Sequence, residues 1–314
     1  MGLREILVLL AMCAIWGFHF VVIKVAVAEI PPIFYAAVRM TLVAALMAAF
    51  LRWRPGEMGR VLFAGVCLGA VNYVFMFSGL KYATASASAV AIELYVPFAT
   101  ILSVIFLGEQ VGWRRVLGIA LAFIGVAVIA VGGEPSENSE RIGLGVGLIA
   151  AAAMSEAVGS INVKKATGFK PHQLLAWFSL VGAVSLWPLT FLIESGQAQA
   201  FAAADKPLLI GAILYSAIGG SIIGHSAYYW LLQRLPVSQV APSMLLTTLI
   251  AVASGVIVLG DPFGPAMIVG GILTLLGVGV VLLRTSAHDG AREGAPILAV
   301  DRIKKAPDAK ANRL

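Results

Sequence analysis

The sequence predicts an all-α membrane protein of ten transmembrane helices, arranged as two inverted five-helix repeats. Three observations predict it. Of 314 residues, 60% are hydrophobic and only 12% charged, where a soluble domain carries roughly 25% charged residues; the mean hydropathy is +0.94. Runs such as 116–131 and 266–283 hold no ionisable side chain over about the length that crosses a bilayer core. The chain also resembles itself at a nearly constant offset. Together these features exclude a soluble enzyme, a nucleic-acid-binding domain and a disordered chain.

Charged residues, prolines and glycines divide the apolar sequence into ten spans. The first, 6–28, follows Arg4 and continues through Trp16-Gly17-Phe18-His19-Phe20 to Lys24 with no small-residue cleavage site, so it reads as a retained span and not a signal peptide. The second, 33–51, starts after two prolines. Spans three to five are 61–80, 84–107 and 113–131; the fourth contains Pro97 and ends at Leu107-Gly108-Glu109. Spans six to ten are 143–163, 172–193, 208–232, 237–259 and 265–283; the ninth ends at Leu259-Gly260-Asp261. Each is about twice the length of a barrel strand and lacks two-residue alternation, which argues against a β-barrel. The polar, basic remainder, 286–314, reads as a disordered cytoplasmic tail.

Charge sets the orientation. With the N-terminus inside, eleven Lys and Arg residues fall on the inner loops and only Lys81, Arg141 and Lys206 on the outer ones, a strong positive-inside bias. Both termini are then cytoplasmic, in a cell inner membrane. The net charge of +6 is therefore topological and does not point to nucleic acid.

Leu107-Gly108-Glu109 and Leu259-Gly260-Asp261 lie 152 residues apart, and Lys81-Tyr82-Ala83-Thr84 precedes Gln233-Arg234-Leu235-Pro236 by the same 152. Trp16 to Lys24 matches Glu156 to Lys164 at an offset of 140. The units are 5–132 and 143–285, joined by a short acidic external linker at 133–142. Five is odd, so two like units thread the bilayer in opposite directions, the plan of secondary transporters.

Trp16-Gly17-x-x-Phe20 running into Ile23-Lys24, Pro97, the Leu-Gly-Glu end of the fourth span and Gly118 and Gly125 in the fifth together resemble the EamA branch of the drug/metabolite transporter superfamily. The resemblance covers residues 5–285 in two domains. It implies a ten-helix inner-membrane carrier for small metabolites, often an exporter of amino acids or their derivatives. Three positions depart from the family's pattern: His19 replaces a frequent Asn, Glu156 a frequent Trp, and the ninth span has Thr248 or Leu249 near the place of Pro97.

An ionisable side chain at bilayer depth costs on the order of 2.5–3.5 kcal/mol on insertion scales, so each asks for a reason. Glu93 shares a helical stripe with Ser86, Pro97 and Thr100, and Glu156 lies one turn from Ser160. Both are candidates for binding an amine or carrying a proton. Histidine can titrate near neutral pH, which makes His19 and His225 candidates for a proton-linked role, with packing as the more frequent alternative for a lone histidine among apolar neighbours. Asn72 at mid-span either bonds substrate or fastens helices. Trp16, Tyr95 and Tyr229 are candidate walls of a pocket. Arg39 either pairs with Glu93 or attracts a substrate carboxylate, and pairing is preferred because a buried Arg without a counter-charge is costly. Lys24 and Lys164 are expected to snorkel to the interface, and Trp230 to join the interfacial belt. The glycine pairs Gly65/Gly69 and Gly220/Gly224 allow close helix approach.

The substrate-binding set is thus Trp16, His19, Asn72, Glu93, Tyr95, Glu156, His225 and Tyr229, with Glu93 and Glu156 as proton-coupling candidates. No catalytic or metal site and no cofactor is expected, since Cys13 and Cys67 lie in apolar runs apart from any Cys–His cluster. The expected partners are a small-molecule substrate and the lipid bilayer, with no nucleic acid, and the chain as a monomer or homodimer. The leading reading is a secondary-active carrier using alternating access. A membrane-embedded enzyme acting on a lipid-linked substrate is the alternative, and it needs a clustered acid, base or metal constellation.

Overall fold

The computed structural model describes residues 2–108, 111–132, 139–165, 168–232, 234–235, 240 and 243–293. Nine helices in it are long and apolar enough to cross a membrane, and a tenth, shorter apolar helix completes the set. In chain order they are α1 (Leu3–Glu29), α2 (Pro32–Phe50), α3 (Met58–Tyr82), α4 (Ala85–Phe106), α5 (Trp113–Val131), α6 (Arg141–Val163), α7 (Pro171–Ile193), α8 (Lys206–Tyr228), α9 (Ser243–Leu259) and α10 (Pro265–Leu283). Each falls within a few residues of a span read from the sequence. The helix begun by α6 starts at Ser139 and the one begun by α10 runs on to Glu293. Residues 139–142 of the expected linker and 286–293 of the expected disordered tail are therefore helical, while 133–138 and 294–314 lie outside the described residues.

Large apolar side chains cover the outer surface: Val131 is 83% exposed, Ile257 81% and Leu192 80%. A water-soluble protein would hide such residues; here they face lipid. At one end of the bundle, Arg4 and Arg234 sit over the ring of Trp230 at 5.2 and 4.0 Å, an amphipathic belt of the kind that marks a membrane interface. This end also carries the N-terminus and is called the N-terminal face below; the other is the opposite face.

The main seams are related by exchange of α1–α5 with α6–α10, although α2 with α3 and α5 with α6 pack without a counterpart of like extent. The helix pairs α5/α10 and α2/α7 pack against their own counterparts. The remaining main contacts come as matched sets: α1 with α8 and α9, α6 with α3 and α4. The α5/α10 seam shows why glycine is used. A Cβ on Gly270 would lie 2.5 Å from the carbonyl oxygen of Gly125, so the two backbones approach as closely as van der Waals contact allows.

Carboxylates and a lysine fix the helix ends at the opposite face. Glu194, after α7, accepts from the backbone N–H of Ile33 and Phe34 at 2.9 Å each and from the Thr190 hydroxyl at 2.7 Å, capping the positive end of α2. Asp261, after α9, accepts from the Ser86 N–H at 2.8 Å and the Ser86 hydroxyl at 2.7 Å, tying α9 to the start of α4. Lys24 does not snorkel as expected. Its Nζ donates to the Leu80 and Ala83 carbonyls at 2.7 Å each and to Lys81 at 3.3 Å; the free carbonyls at the end of α3 are stronger partners than the interface. The side chain of Lys164 lies outside the described residues.

Helical regularity breaks where the two repeats face each other. The segments Val66–Val71 of α3 and Tyr215–Ile223 of α8 are π-helical, and these two helices are repeat counterparts. In α4 the turn Ile92–Leu94 tightens to a 3-10 helix, one turn before Pro97, whose missing N–H leaves the Glu93 carbonyl without its usual donor. Such interruptions recur at functional sites.

Candidate functional site

Two polar clusters lie inside the bundle. Glu93 is eight residues past the start of α4 at Ala85, and Glu156 is seven before the end of α6 at Val163. His19 is ten before the end of α1 at Glu29, and Arg39 is seven past the start of α2 at Pro32. At 1.5 Å per residue each is roughly 10–15 Å from its nearer helix end.

The first cluster is acidic and joins α3, α4, α6 and α9. Glu93 is 8% exposed and accepts a hydrogen bond from the Thr248 hydroxyl of α9. Glu156 faces Asn72, whose Nδ2 lies 3.5 Å from its Oε2 and also donates to the Ala152 carbonyl at 2.9 Å. Asn72 therefore fastens α3 to α6, one of the two roles the sequence allowed, and also presents its amide to the carboxylate. The Tyr95 hydroxyl reaches Ser160 Oγ at 3.3 Å, linking α4 to α6 beside Glu156. The turn that carries Glu93 packs against α6, the helix that carries Glu156.

The second cluster is basic and joins α1, α2 and α8, with α3 beneath it. Arg39 is 2% exposed. Its Nε donates to the Ser216 carbonyl at 3.3 Å and its Nη2 to Ser221 Oγ at 2.8 Å, while the guanidinium lies 4.8 Å from the Tyr73 ring centre and 5.7 Å from that of Phe77. The expected Arg39–Glu93 pair does not form: α2 packs on α7 and α8, and Glu93 is turned to Thr248. His19 Nε2 is 2.9 Å from Ser216 Oγ, and the same hydroxyl meets that of Tyr35. Tyr35 donates to the Ala212 carbonyl at 3.0 Å, which can only accept. With its one hydrogen placed there, the Ser216 hydrogen points to Tyr35, and His19 Nε2 is the donor to Ser216.

Trp16 and His225 extend this cluster toward the N-terminal face. Trp16 Nε1 donates to the Gly220 carbonyl at 2.9 Å, and its ring meets His225 edge-on at a centroid distance of 5.3 Å. His225 Nδ1 lies 2.8 Å from the Ser221 carbonyl, so that nitrogen carries the proton. Glycine at 220 and 224 permits this approach: a Cβ on Gly220 would be 3.1 Å from the His19 ring, and one on Gly224 would collide with Trp16 Nε1.

Of the eight residues singled out in the sequence, the structure places Glu93, Glu156, Asn72 and Tyr95 in the acidic cluster and His19, Trp16 and His225 in the basic one. The side chain of Tyr229 lies outside the described residues. Thr100, on the stripe with Glu93, donates its hydroxyl to its own helix at the Val96 carbonyl. Tyr35 and Ser216 were not legible as site residues, because their hydroxyls meet only through the packing of α2 on α8. A separate cleft of about 530 Å³ opens at the opposite face, lined by Lys24, Lys81, Thr84, Arg141 and Pro262 among others. It lies away from both clusters.

Both halves of the chain, residues 3–131 and 143–283, match the model of the EamA-like transporter family. The chain belongs to this family. A probable amino-acid metabolite efflux pump of Salmonella typhimurium is 29% identical over 278 residues, 86% of this chain and 91% of that protein. Its Escherichia coli namesake is 26% identical over 88% of this chain and 94% of that protein. A probable terminal-alkyne amino-acid exporter of Streptantibioticus cattleyicolor is 28% identical over 74% and 76%. A solved crystal structure superposes with a TM-score of 0.60 at 19% identity, over 91% of this chain and 99% of that one, a likeness of fold. As an EamA-like protein the chain is a multi-pass membrane transporter whose two family units are its two repeats.

Proposed function

We propose that this EamA-like protein is a secondary-active exporter of small amino-acid metabolites in the cell inner membrane. Both termini face the cytoplasm, and the two repeats rock to expose a shared central site to one side at a time. The observation that carries the reading is the pair of polar clusters at mid-depth, built from both repeats where the matched helices break their regular hydrogen bonding. Burying these groups in an apolar body is costly without a task for them. The names of the relatives supply the substrate class and the direction; the positive-inside bias supplies the orientation.

In this reading Glu93 and Glu156 carry the coupling proton. Two neighbouring carboxylates, bonded to a hydroxyl and an amide, take up or release a proton at a cost that depends on what else occupies the site. Trp16, His19, Asn72, Tyr95 and His225 line the path of the substrate.

The test is an export comparison between cells overproducing the chain and cells lacking it, followed by reconstitution of the metabolite found. Overproduction raises the external level of one or more amino-acid metabolites. In proteoliposomes an imposed pH gradient drives the flux, and Glu93→Gln abolishes the drive. An unchanged metabolite profile would overturn the exporter reading. A Glu93→Gln and Glu156→Gln double variant with wild-type pH response would remove the coupling role.

A further inference from the structure

We propose that Arg39, with the hydroxyls of Tyr35, Ser216 and Ser221 and the imidazole of His19, forms a subsite for a carboxylate group of the transported molecule. The proposal deepens the exporter reading and rests on it for the identity of the anion, but the subsite itself is testable alone.

The argument starts from charge. A guanidinium stays ionised throughout the accessible pH range, and at this depth it costs several kcal/mol unless its charge is met. The chain meets it only with neutral groups: a carbonyl, a hydroxyl and two aromatic faces. Among the described residues no carboxylate contacts Arg39, and the one ion pair is Arg60–Glu57, at the start of α3 on the N-terminal face. The titratable side chains tied into the same hydrogen-bonded set are His19, a base, and Tyr35, a neutral phenol. The cluster therefore holds a cation and no anion, and a ligand anion is what would complete it.

The geometry favours a carboxylate. The guanidinium is planar and offers parallel N–H donors that match two carboxylate oxygens. The rings of Tyr73 and Phe77, set nearly at right angles to each other, wall the guanidinium on two sides. Only Nε and Nη2 are engaged, both with the π-helical segment of α8. The hydroxyls of Tyr35 and Ser216 and the ring of His19 form a continuous hydrogen-bonded chain beside it, and hydroxyls reorient at little cost to donate to an anion. The acidic pair, Glu93 and Glu156, belongs to a different set of helices. The two clusters thus divide the labour: the basic one takes the anionic group of the cargo, the acidic one takes the proton.

The experiment places the two charges of leucine on two separate five-carbon branched molecules. Purified protein in detergent is heated in the presence of isovalerate, isoamylammonium or leucine, and the unfolding midpoint is followed against concentration. Isovalerate and leucine raise the midpoint of the wild type and isoamylammonium does not. Arg39→Gln weakens the isovalerate effect roughly tenfold to a hundredfold, the size of one lost charge-assisted pair, and Arg39→Lys retains part of it. If Arg39→Gln does not fold, Tyr35→Phe and Ser216→Ala carry the test, each shifting the isovalerate dependence by a few-fold. No response of the wild type to isovalerate, or an equal response in Arg39→Gln, would overturn the subsite even if export is found. Carboxylate stabilisation that depends on Arg39, in a protein that exports nothing, would instead overturn the exporter reading.

Discussion

The tie between Asp261 and Ser86 makes a quantitative prediction under alternating access. One carboxylate oxygen receives both the backbone N–H that opens α4 and the Ser86 hydroxyl. Hydrogen bonds to a charged acceptor contribute about 1.5–3 kcal/mol each, and loss of a helix cap costs ~1 kcal/mol. Asp261 is half-buried, so solvent recovers part of this, leaving about 2 kcal/mol for the tie, or roughly a thirtyfold change in an equilibrium. Asp261→Ala should therefore raise the population open at the opposite face by about that factor. The assay replaces Ser88, buried in the same helix, by cysteine in a background lacking Cys13 and Cys67. The rate of modification by a membrane-impermeant thiol reagent is then measured. The expected rate rises some tenfold or more with Asp261→Ala and less with Asp261→Asn, whose neutral amide oxygen still accepts from Ser86 but without the charge. An unchanged rate would show that this contact does not hold that face shut.

Glu93→Gln and Glu156→Gln each keep a hydrogen-bonding oxygen but carry no titrating proton, so both should leave the fold intact and flatten the dependence of transport on pH, read as initial flux in proteoliposomes. Gly224→Ala drives a methyl group into the Trp16 indole; overpacking of this kind costs about 1–3 kcal/mol, seen as a lower unfolding midpoint, and Trp16→Phe should partly rescue it. Glu194→Gln replaces the charged acceptor of two backbone N–H groups at the start of α2. A loss of about 1–2 kcal/mol should appear in the unfolding midpoint with little change in substrate preference, since Glu194 lies at the opposite face.

The spans and their pairing were legible because lipid imposes long uncharged runs, and because the motif ending in Gly108 recurs at Gly260. What was not legible depended on neighbours from other helices. Arg39 was expected to find Glu93 because both are charged and deep, yet α2 faces α8, and the partners there are neutral oxygens. Ser216 escaped notice for a local reason. Residues five apart in an α-helix point about 140° away from each other, so a helical wheel separates Ser216 from Ser221. The π turn of α8 brings them onto one face, where Ser221 Oγ donates to the Ser216 carbonyl at 3.3 Å. Lys24 was read from its distance to the membrane surface, which says nothing of the carbonyls that the end of α3 offers it.

The matched contacts of the two halves bear on energetics as well as on architecture. A rearrangement that trades one half's conformation for the other's returns most of the same backbone neighbours along the main seams, so those seams have little preference between the two arrangements. Any bias must come from positions where the copies have diverged, as at Trp16 opposite Glu156 or Glu93 opposite Leu245. A handful of side chains would then set the resting poise of the whole bundle, and single substitutions at those positions would tilt it without altering how the helices fit together.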